Sequence, residues 1–130
     1  MPLAQNLVIK NATNVDKTFT LMNPASGNDS PAAWALKEGA IASVFPQVTV
    51  MTRTTGNSSR QARFKFRVPS SYTDTVTGLT NVNSAMEANL TVSIPNNFPE
   101  AKKDDFVAFF SGLVVSDLMK AVFRDAYPAT

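Results

Sequence analysis

The feature that most constrains this chain is a stretch of alternating apolar and polar residues that runs from Val48 to Val68. Successive side chains of a strand point to opposite faces, so an alternation with period two predicts two β-strands in this stretch. The strands are separated by Gly56-Asn57-Ser58-Ser59, which are turn-forming residues. The pattern therefore predicts an antiparallel hairpin.

The two faces of this hairpin differ in chemistry. The face predicted to pack on the core carries Val48, Val50, Thr52, Ala62, Phe64, Phe66 and Val68. The opposite face carries Thr49, Met51, Arg53, Arg63, Lys65 and Arg67. No acidic residue occurs from Gly39 to Thr73, whereas five of the twelve Lys and Arg residues lie between Arg53 and Arg67. A phosphate backbone is the expected partner of such a face, although basic strands also serve to prevent unwanted sheet pairing.

The composition excludes several function classes. The chain has 130 residues, of which 44% are hydrophobic and 17% charged, so we expect one folded domain over residues 1–130. Cysteine and histidine are absent, which removes the commonest metal ligands and the usual general base. No phosphate-binding or hydrolase glycine motif occurs. We therefore expect no catalytic residue, no metal site, no cofactor and no small-molecule substrate.

The N-terminal sequence MPLAQNLVIK has no basic segment and no apolar run of signal-peptide length. No stretch elsewhere approaches the ~20 apolar residues of a membrane-spanning helix. We therefore expect a soluble chain that is not exported by a signal and has no membrane partner.

Further strands and loops are predicted on both sides of the central hairpin. Residues 7–10 and 17–22 are predicted to form an N-terminal hairpin, with Phe19 and Leu21 facing the core. Residues 32–37 are predicted as a third strand, with a short helix as the alternative. Residues 70–84 are rich in Ser, Thr and Asn and are predicted as a long loop. Residues 88–94 alternate again and predict a last strand.

From Glu100 the apolar period changes from 2 to 3.6, which predicts helices. One apolar stripe, Phe106, Phe109, Phe110, Leu113 and Val114, is out of phase with a second, Val115, Leu118, Met119, Val122 and Phe123. The helix must therefore break between Gly112 and Ser116, with Ser116 capping a second helix that ends before Pro128. The predicted fold class is α+β, an antiparallel β-sheet with an N-terminal hairpin followed by two C-terminal α-helices.

The two helices present more apolar surface than one face of a small sheet can cover. We therefore expect a second subunit to cover part of it, by donating its own helices or by accepting these. The side chains predicted at that interface are Phe106, Phe109, Phe110, Leu113, Leu118, Val122 and Phe123.

The segments FTLMNP, GAIASVFPQVTV, FKFRVP, ANLTVSI and DAYPAT, in this order and spacing, resemble the coat proteins of single-stranded RNA bacteriophages. This is the levivirus group, with the Q-beta type most similar, and the resemblance extends over about residues 7 to 128. It implies a homodimer with sheets joined edge to edge and helices interlocked. It also implies an icosahedral shell, assembled in the host bacterial cytoplasm and found in the virion. The open sheet face would bind a viral RNA hairpin and repress replicase translation.

Placed on this sequence, the RNA contacts of the family fall on Thr49, Met51, Arg53, Arg63, Lys65, Arg67, Glu87 and Asn89. Some members have a base-stacking aromatic residue at the position of Glu87. Some have a small hydroxyl residue that lines an adenine pocket at the position of Met51 or Arg63. Residues 70–86 lack the cysteines that crosslink some shells, so shell contacts are expected to be noncovalent.

Two other classes of function compete with a coat protein. A nucleic-acid-binding module that does not assemble would use the same basic sheet face, but it would leave Phe106, Phe110 and Phe123 poorly covered. A secreted or fimbrial adhesin subunit would need an export signal, which the N-terminal sequence does not show.

Overall fold

The computed structural model describes residues 3–27, 29–39, 41–55 and 58–129. In chain order its elements are β1 (Leu7–Lys10), β2 (Asp16–Asn23), β3 (Ala32–Ala35), a 3-10 helix (Ala42–Val44), β4 (Gln47–Thr55), β5 (Ser59–Thr73), β6 (Thr80–Pro95), α1 (Glu100–Val114) and α2 (Asp117–Asp125). The strands form one six-stranded sheet in sequence order, so β1 and β6 are its edges. The pairs from β1 to β5 are antiparallel. The predicted fold class is confirmed.

The central hairpin has the register that the alternation predicts. Val48 lies opposite Phe66, and Thr49 lies opposite Lys65. Residues directly opposite each other share a face of the sheet, so the apolar and the basic faces are separated as expected. Gly56 and Asn57 of the predicted turn lie outside the described residues.

The core lies against the apolar face of this sheet. Phe19 and Val48 are only 5% and 3% exposed, and the rings of Phe19 and Phe66 have centroids 6.1 Å apart. Gly39 is required beside the core, because its φ of +133° disfavours other residues and a Cβ there would collide with the side chain of Val44. The N-terminal segment is fixed across the sheet, since the indole of Trp34 donates a hydrogen bond to the carbonyl of Gln5 at 2.8 Å.

The loop predicted over residues 70–84 is wrong in extent, because β5 continues to Thr73 and β6 begins at Thr80. Pairing along β5 and β6 satisfies backbone groups that a free loop would leave to water, and the threonines of this region favour strands. The turn is confined to residues 74–79. The third strand is confirmed as a strand, but it ends at Ala35, and the next amide, that of Leu36, donates to the carbonyl of Pro46 at 2.9 Å.

The two predicted helices and the break between them are confirmed. α1 ends at Val114, and the Ser116 side chain accepts a hydrogen bond from the amide of Met119 at 3.4 Å, so it caps α2 as predicted. α2 ends where Ala126 adopts a left-handed conformation. Within the described part of the chain no single helix is long and apolar enough to cross a membrane; only the two helices taken together, bent by 60°, meet that length and composition.

The chain divides into two compact units, one ending at Ile94 and the other beginning at Pro95. The first unit holds nearly all of the sheet and the second holds both helices. The single domain expected over residues 1–130 stays a prediction.

Candidate nucleic-acid interface

A surface depression of about 390 Å³ lies on the face of the sheet that carries Thr49, Arg63 and Lys65. It is lined by Pro31, Thr49, Met51, Arg63, Phe64, Lys65, Asn89, Leu90 and Thr91. Its volume is within the range of small-ligand sites, ~300–1,000 Å³. Three neighbouring strands, β4, β5 and β6, supply all of this lining except Pro31, which comes from the loop between β2 and β3.

The register of β4 and β5 explains why these side chains meet. Thr49 lies opposite Lys65, and Met51 lies opposite Arg63. Arg63 and Lys65 are exposed, whereas Thr49 and Met51 are half-buried. The depression thus combines half-buried hydroxyl and thioether groups with apolar residues and two cations. Cations bind phosphates, while uncharged hydroxyl and amide groups can hydrogen-bond to bases or sugars.

The cations Arg53, Arg63, Lys65 and Arg67 form what we call the basic face. Glu87 Oε1 lies 3.8 Å from Lys65 Nζ and 3.5 Å from Arg67 Nε. Asp29 Oδ1 lies 3.7 Å from Arg53 Nε. Among the residues that the structure describes, Arg63 is the member of the basic face without a carboxylate partner, and its Nη2 donates to Gln61 Oε1 at 3.4 Å.

The structure brings most of the predicted RNA-contacting residues together. Thr49, Met51, Arg63, Lys65 and Asn89 line the depression. Glu87 lies beside the depression because its carboxylate is close to Lys65, and Arg67 is close to the same carboxylate. Arg53 lies opposite Gln61, further along the hairpin, and is paired with Asp29. Contact of these residues with RNA stays a prediction.

The sequence interpretation missed several members of this surface. Thr91 could have been found, because it follows Asn89 by two residues on an alternating strand and so shares its face. Pro31 and Asp29 come from a loop, and no periodicity indicates where a loop residue lies. Arg60 lies opposite Thr54. It therefore has the parity of the apolar face and is not part of the basic face.

The predicted dimer interface forms an exposed apolar surface on the helical unit. Phe106, Phe109, Leu113, Leu118 and Phe123 are between 48% and 77% exposed, and Phe110 and Val122 are half-buried. The rings of Phe106 and Phe110 stack, with centroids 6.3 Å apart and planes 10° from parallel. In the described ranges no group of His, Cys, Asp and Glu residues is arranged to hold a metal ion.

A family model described as levivirus coat protein matches residues 2–127 of this chain. The virus-like particle of bacteriophage NT-214 contains a chain of similar structure, with a TM-score of 0.85, 21% identity and coverage of 99% of this chain and 100% of that one. A chain of the virus-like particle of Beihai levi-like virus 21 is also similar, with a TM-score of 0.84, 18% identity and coverage of 99% of each chain. A bacteriophage GA protein capsid has a TM-score of 0.72 and 20% identity, with coverage of 91% of this chain and 92% of that one. No curated protein sequence matches the chain.

Proposed function

This chain belongs to the levivirus coat protein family, and from that premise we propose that its dimers build an icosahedral shell around single-stranded viral RNA held on the basic face. Its role is structural: it is a capsid protein of the virion that assembles into a shell, and it is not an enzyme. The proposal concerns what the family alone leaves open, namely the dimer, the RNA and the control of translation.

The observation that carries the RNA part is the depression on the basic face. Arg63 and Lys65 stand beside Asn89 and Thr49, so groups that attract phosphate adjoin groups that can hydrogen-bond to bases. RNA hairpin loops expose unstacked bases together with phosphates, and this combination suits them. Met51 adds an apolar contact for the face of a base in the same depression.

The observation that supports the dimer is the exposed apolar surface of α1 and α2. Fully burying a large apolar side chain stabilises a protein by about 1.5–3 kcal/mol, and Phe109 is 77% exposed in the single chain. A partner's helices would bury this surface, and its β6 would pair with the edge strand β6. A dimer also doubles the basic face, which suits an RNA hairpin.

We extend the proposal to translational repression, in which a bound hairpin closes a start site in the viral messenger, and to assembly in the host bacterial cytoplasm. Both rest on membership of the family.

The direct test of assembly is expression of the full chain alone, followed by size-exclusion chromatography and electron microscopy. We expect closed particles that contain nuclease-protected host RNA. A stable RNA-binding species that never assembles would favour the non-assembling module instead.

The test of the basic face is filter binding of unassembled protein to RNA at several salt concentrations. Lys65→Ala and Arg63→Ala should each weaken binding and reduce the slope of log affinity against log salt by about 0.7–0.9, the value for one phosphate contact. Lys102→Ala, on α1, is the matched control and should change neither quantity. The basic face is the wrong surface if the control reduces both quantities while Lys65→Ala and Arg63→Ala do not.

A further inference from the structure

Glu87 stands on the basic face at a position where a carboxylate opposes the proposed ligand. We propose that Glu87 is an internal competitor of RNA phosphate, which occupies Lys65 and Arg67 in the free protein and must be displaced before RNA binds them. This inference rests on the proposed RNA binding and adds a device that limits it.

The geometry of the carboxylate supports the competition. One oxygen, Oε1, approaches both cations, at 3.8 Å from Lys65 Nζ and 3.5 Å from Arg67 Nε. A phosphate oxygen that bridges the two side chains would take this same position. Both distances exceed the ~2.7–2.9 Å of charge-assisted hydrogen bonds, so the carboxylate neutralises the cations without a tight grip on either.

Acidic residues near this surface are few, and its strands supply only one of them. The sequences of β4, β5 and β6 together contain one acidic residue, which is Glu87. The Glu87 side chain is 41% exposed, and those of Lys65 and Arg67 are 52% and 34% exposed. Exposed ion pairs are weak, so a phosphate can displace the carboxylate, at a modest cost in affinity.

The expected consequence is a higher minimum affinity that an RNA needs to saturate the site. The competition reduces the affinity of every RNA by the same factor, because the same carboxylate must move each time. Weakly bound RNA of arbitrary sequence then falls below saturation. A hairpin that also engages Asn89 and Thr49 still saturates the site. Glu87 would thus favour occupancy by the tighter ligand without contacting it.

The alternative role for Glu87 is direct reading of a base, in which its oxygens accept hydrogen bonds from an exocyclic amino group. The two roles predict opposite signs for one substitution. Glu87→Gln removes the competing charge but keeps the shape, so competition predicts tighter binding to any RNA, whereas direct reading predicts weaker binding to RNA that presents such an amino group and no gain on RNA that lacks one.

The experiment is filter binding of the full chain, below its assembly concentration, to a uridine homopolymer that offers no amino group to an acceptor. For Glu87→Gln we expect affinity at about 0.1 M salt to rise about threefold to tenfold. We also expect the salt slope to steepen by about 0.7–1.4, as one or two cations become available to phosphate. Glu38→Gln is the matched control, since Glu38 also forms an exposed ion pair, with Lys17 at 2.7 Å. It makes the same change in net charge and should alter affinity by less than about twofold.

A second variant tests the contact itself. In a Lys65→Ala/Arg67→Ala background, Glu87→Gln should lose its effect on affinity and slope. If affinity still rises in that background, the cause is the general electrostatic effect of removing a negative charge, and the inference is overturned. Unchanged or weaker binding by Glu87→Gln also overturns it, provided that Lys65→Ala and Arg63→Ala weaken binding. If those two substitutions have no effect, the proposed RNA binding itself fails. Circular dichroism melting of each variant checks that the fold is retained.

Discussion

Asn89 and Thr49 bring uncharged hydrogen-bonding groups into a depression that also contains Arg63 and Lys65. Charge attracts every phosphate alike, whereas an amide or a hydroxyl distinguishes one base edge from another. At the scale of the residue, affinity and discrimination are therefore expected to depend on different side chains.

Asn89→Ala should change the ranking of RNA hairpins more than it changes general affinity. A lost base contact is worth about 1–3 kcal/mol for the hairpin that uses it, while binding to a homopolymer and its salt slope should stay constant. Competition among a set of labelled hairpins measures this ranking. Ser93→Ala, on the same strand outside the depression, is the control. Equal losses for all hairpins would contradict the prediction.

Ser116→Ala should destabilise α2. The Ser116 hydroxyl accepts a hydrogen bond from the Met119 amide and donates one to the Leu113 carbonyl at 2.7 Å. The substitution removes both, and we expect a loss of about 0.5–2 kcal/mol in the free energy of unfolding. Urea unfolding at one fixed protein concentration measures it. Ser111→Ala, at an exposed position of α1, should cost less; an equal loss in both variants would argue against the cap.

For single residues, the sequence predicted well which face of the sheet a side chain occupies, but it predicted poorly which side chains lie close together. Alternation alone placed Thr49, Met51, Arg63 and Lys65 on one face, because parity within a strand is a local property. The pairing of Glu87 with Lys65 and Arg67 was not predictable, since it depends on the register between β5 and β6. The pairing of Asp29 with Arg53 depends on the path of a loop, which no period encodes.

At the scale of the element, the turn between β5 and β6 is tightly organised. The Asp74 carboxylate accepts from the Val76 amide at 2.8 Å, and the Gly78 amide donates to the Asp74 carbonyl at 2.7 Å. Gly78 has a φ of +72°, which glycine adopts readily. Val76 and Leu79 project from this turn, and Val76 is 90% exposed. An ordered turn with projecting apolar side chains is suited to contact neighbouring subunits of a shell.

Deleting residues 75–79 should yield dimers that bind RNA with ordinary affinity but assemble into particles of aberrant size. The residues of the basic face lie outside the deleted segment, whereas the expected contact between neighbouring subunits is lost. Electron microscopy of particle diameters is the measurement. Val76→Ser keeps the length of the turn and removes only the apolar side chain, so it separates the loss of an apolar contact from a change in the shape of the turn. Normal particles from the deletion variant would count against this role.

The helices were predicted closely because each apolar stripe repeats over several turns and Ser116 marks the start of α2. The long loop was predicted wrongly because residues 70–73 and 80–84 are mostly polar, and period two carries little signal without a continuous apolar face. Hydrogen bonding between the strands, which polarity does not reveal, determines where the turn begins and ends.

At the scale of the whole molecule, the single chain buries few side chains. The buried apolar residues in the described part of the chain are Phe19, Ala32, Ala35, Val44 and Val48. All of them belong to the sheet-containing unit, and neither helix contains a buried residue. Stability is therefore expected to depend on association, and so on protein concentration.

Phe109→Ala should weaken the dimer by about tenfold or more for each copy of the ring that the interface buries. Because this ring is mostly exposed in the single chain, its loss should affect the isolated subunit little. Sedimentation equilibrium over a range of concentrations measures the dissociation constant. Val15→Ala, a change at an exposed residue of the β1–β2 turn, is the control. A well-folded monomer of the unmodified chain at micromolar concentration would refute the dimer.

The two edges of the sheet are unequal: β1 has four residues, whereas β6 has sixteen. Short edge strands recruit other chains poorly, while β6 presents roughly 50 Å of backbone at ~3.3 Å per residue. A sheet with two long edges could add subunits without end and form fibres. When a sheet with one long edge pairs with a copy of itself through that edge, the pair has no long edge left. In the proposed dimer, the brevity of β1 would therefore end growth through the sheet at two subunits, and further assembly would use other surfaces.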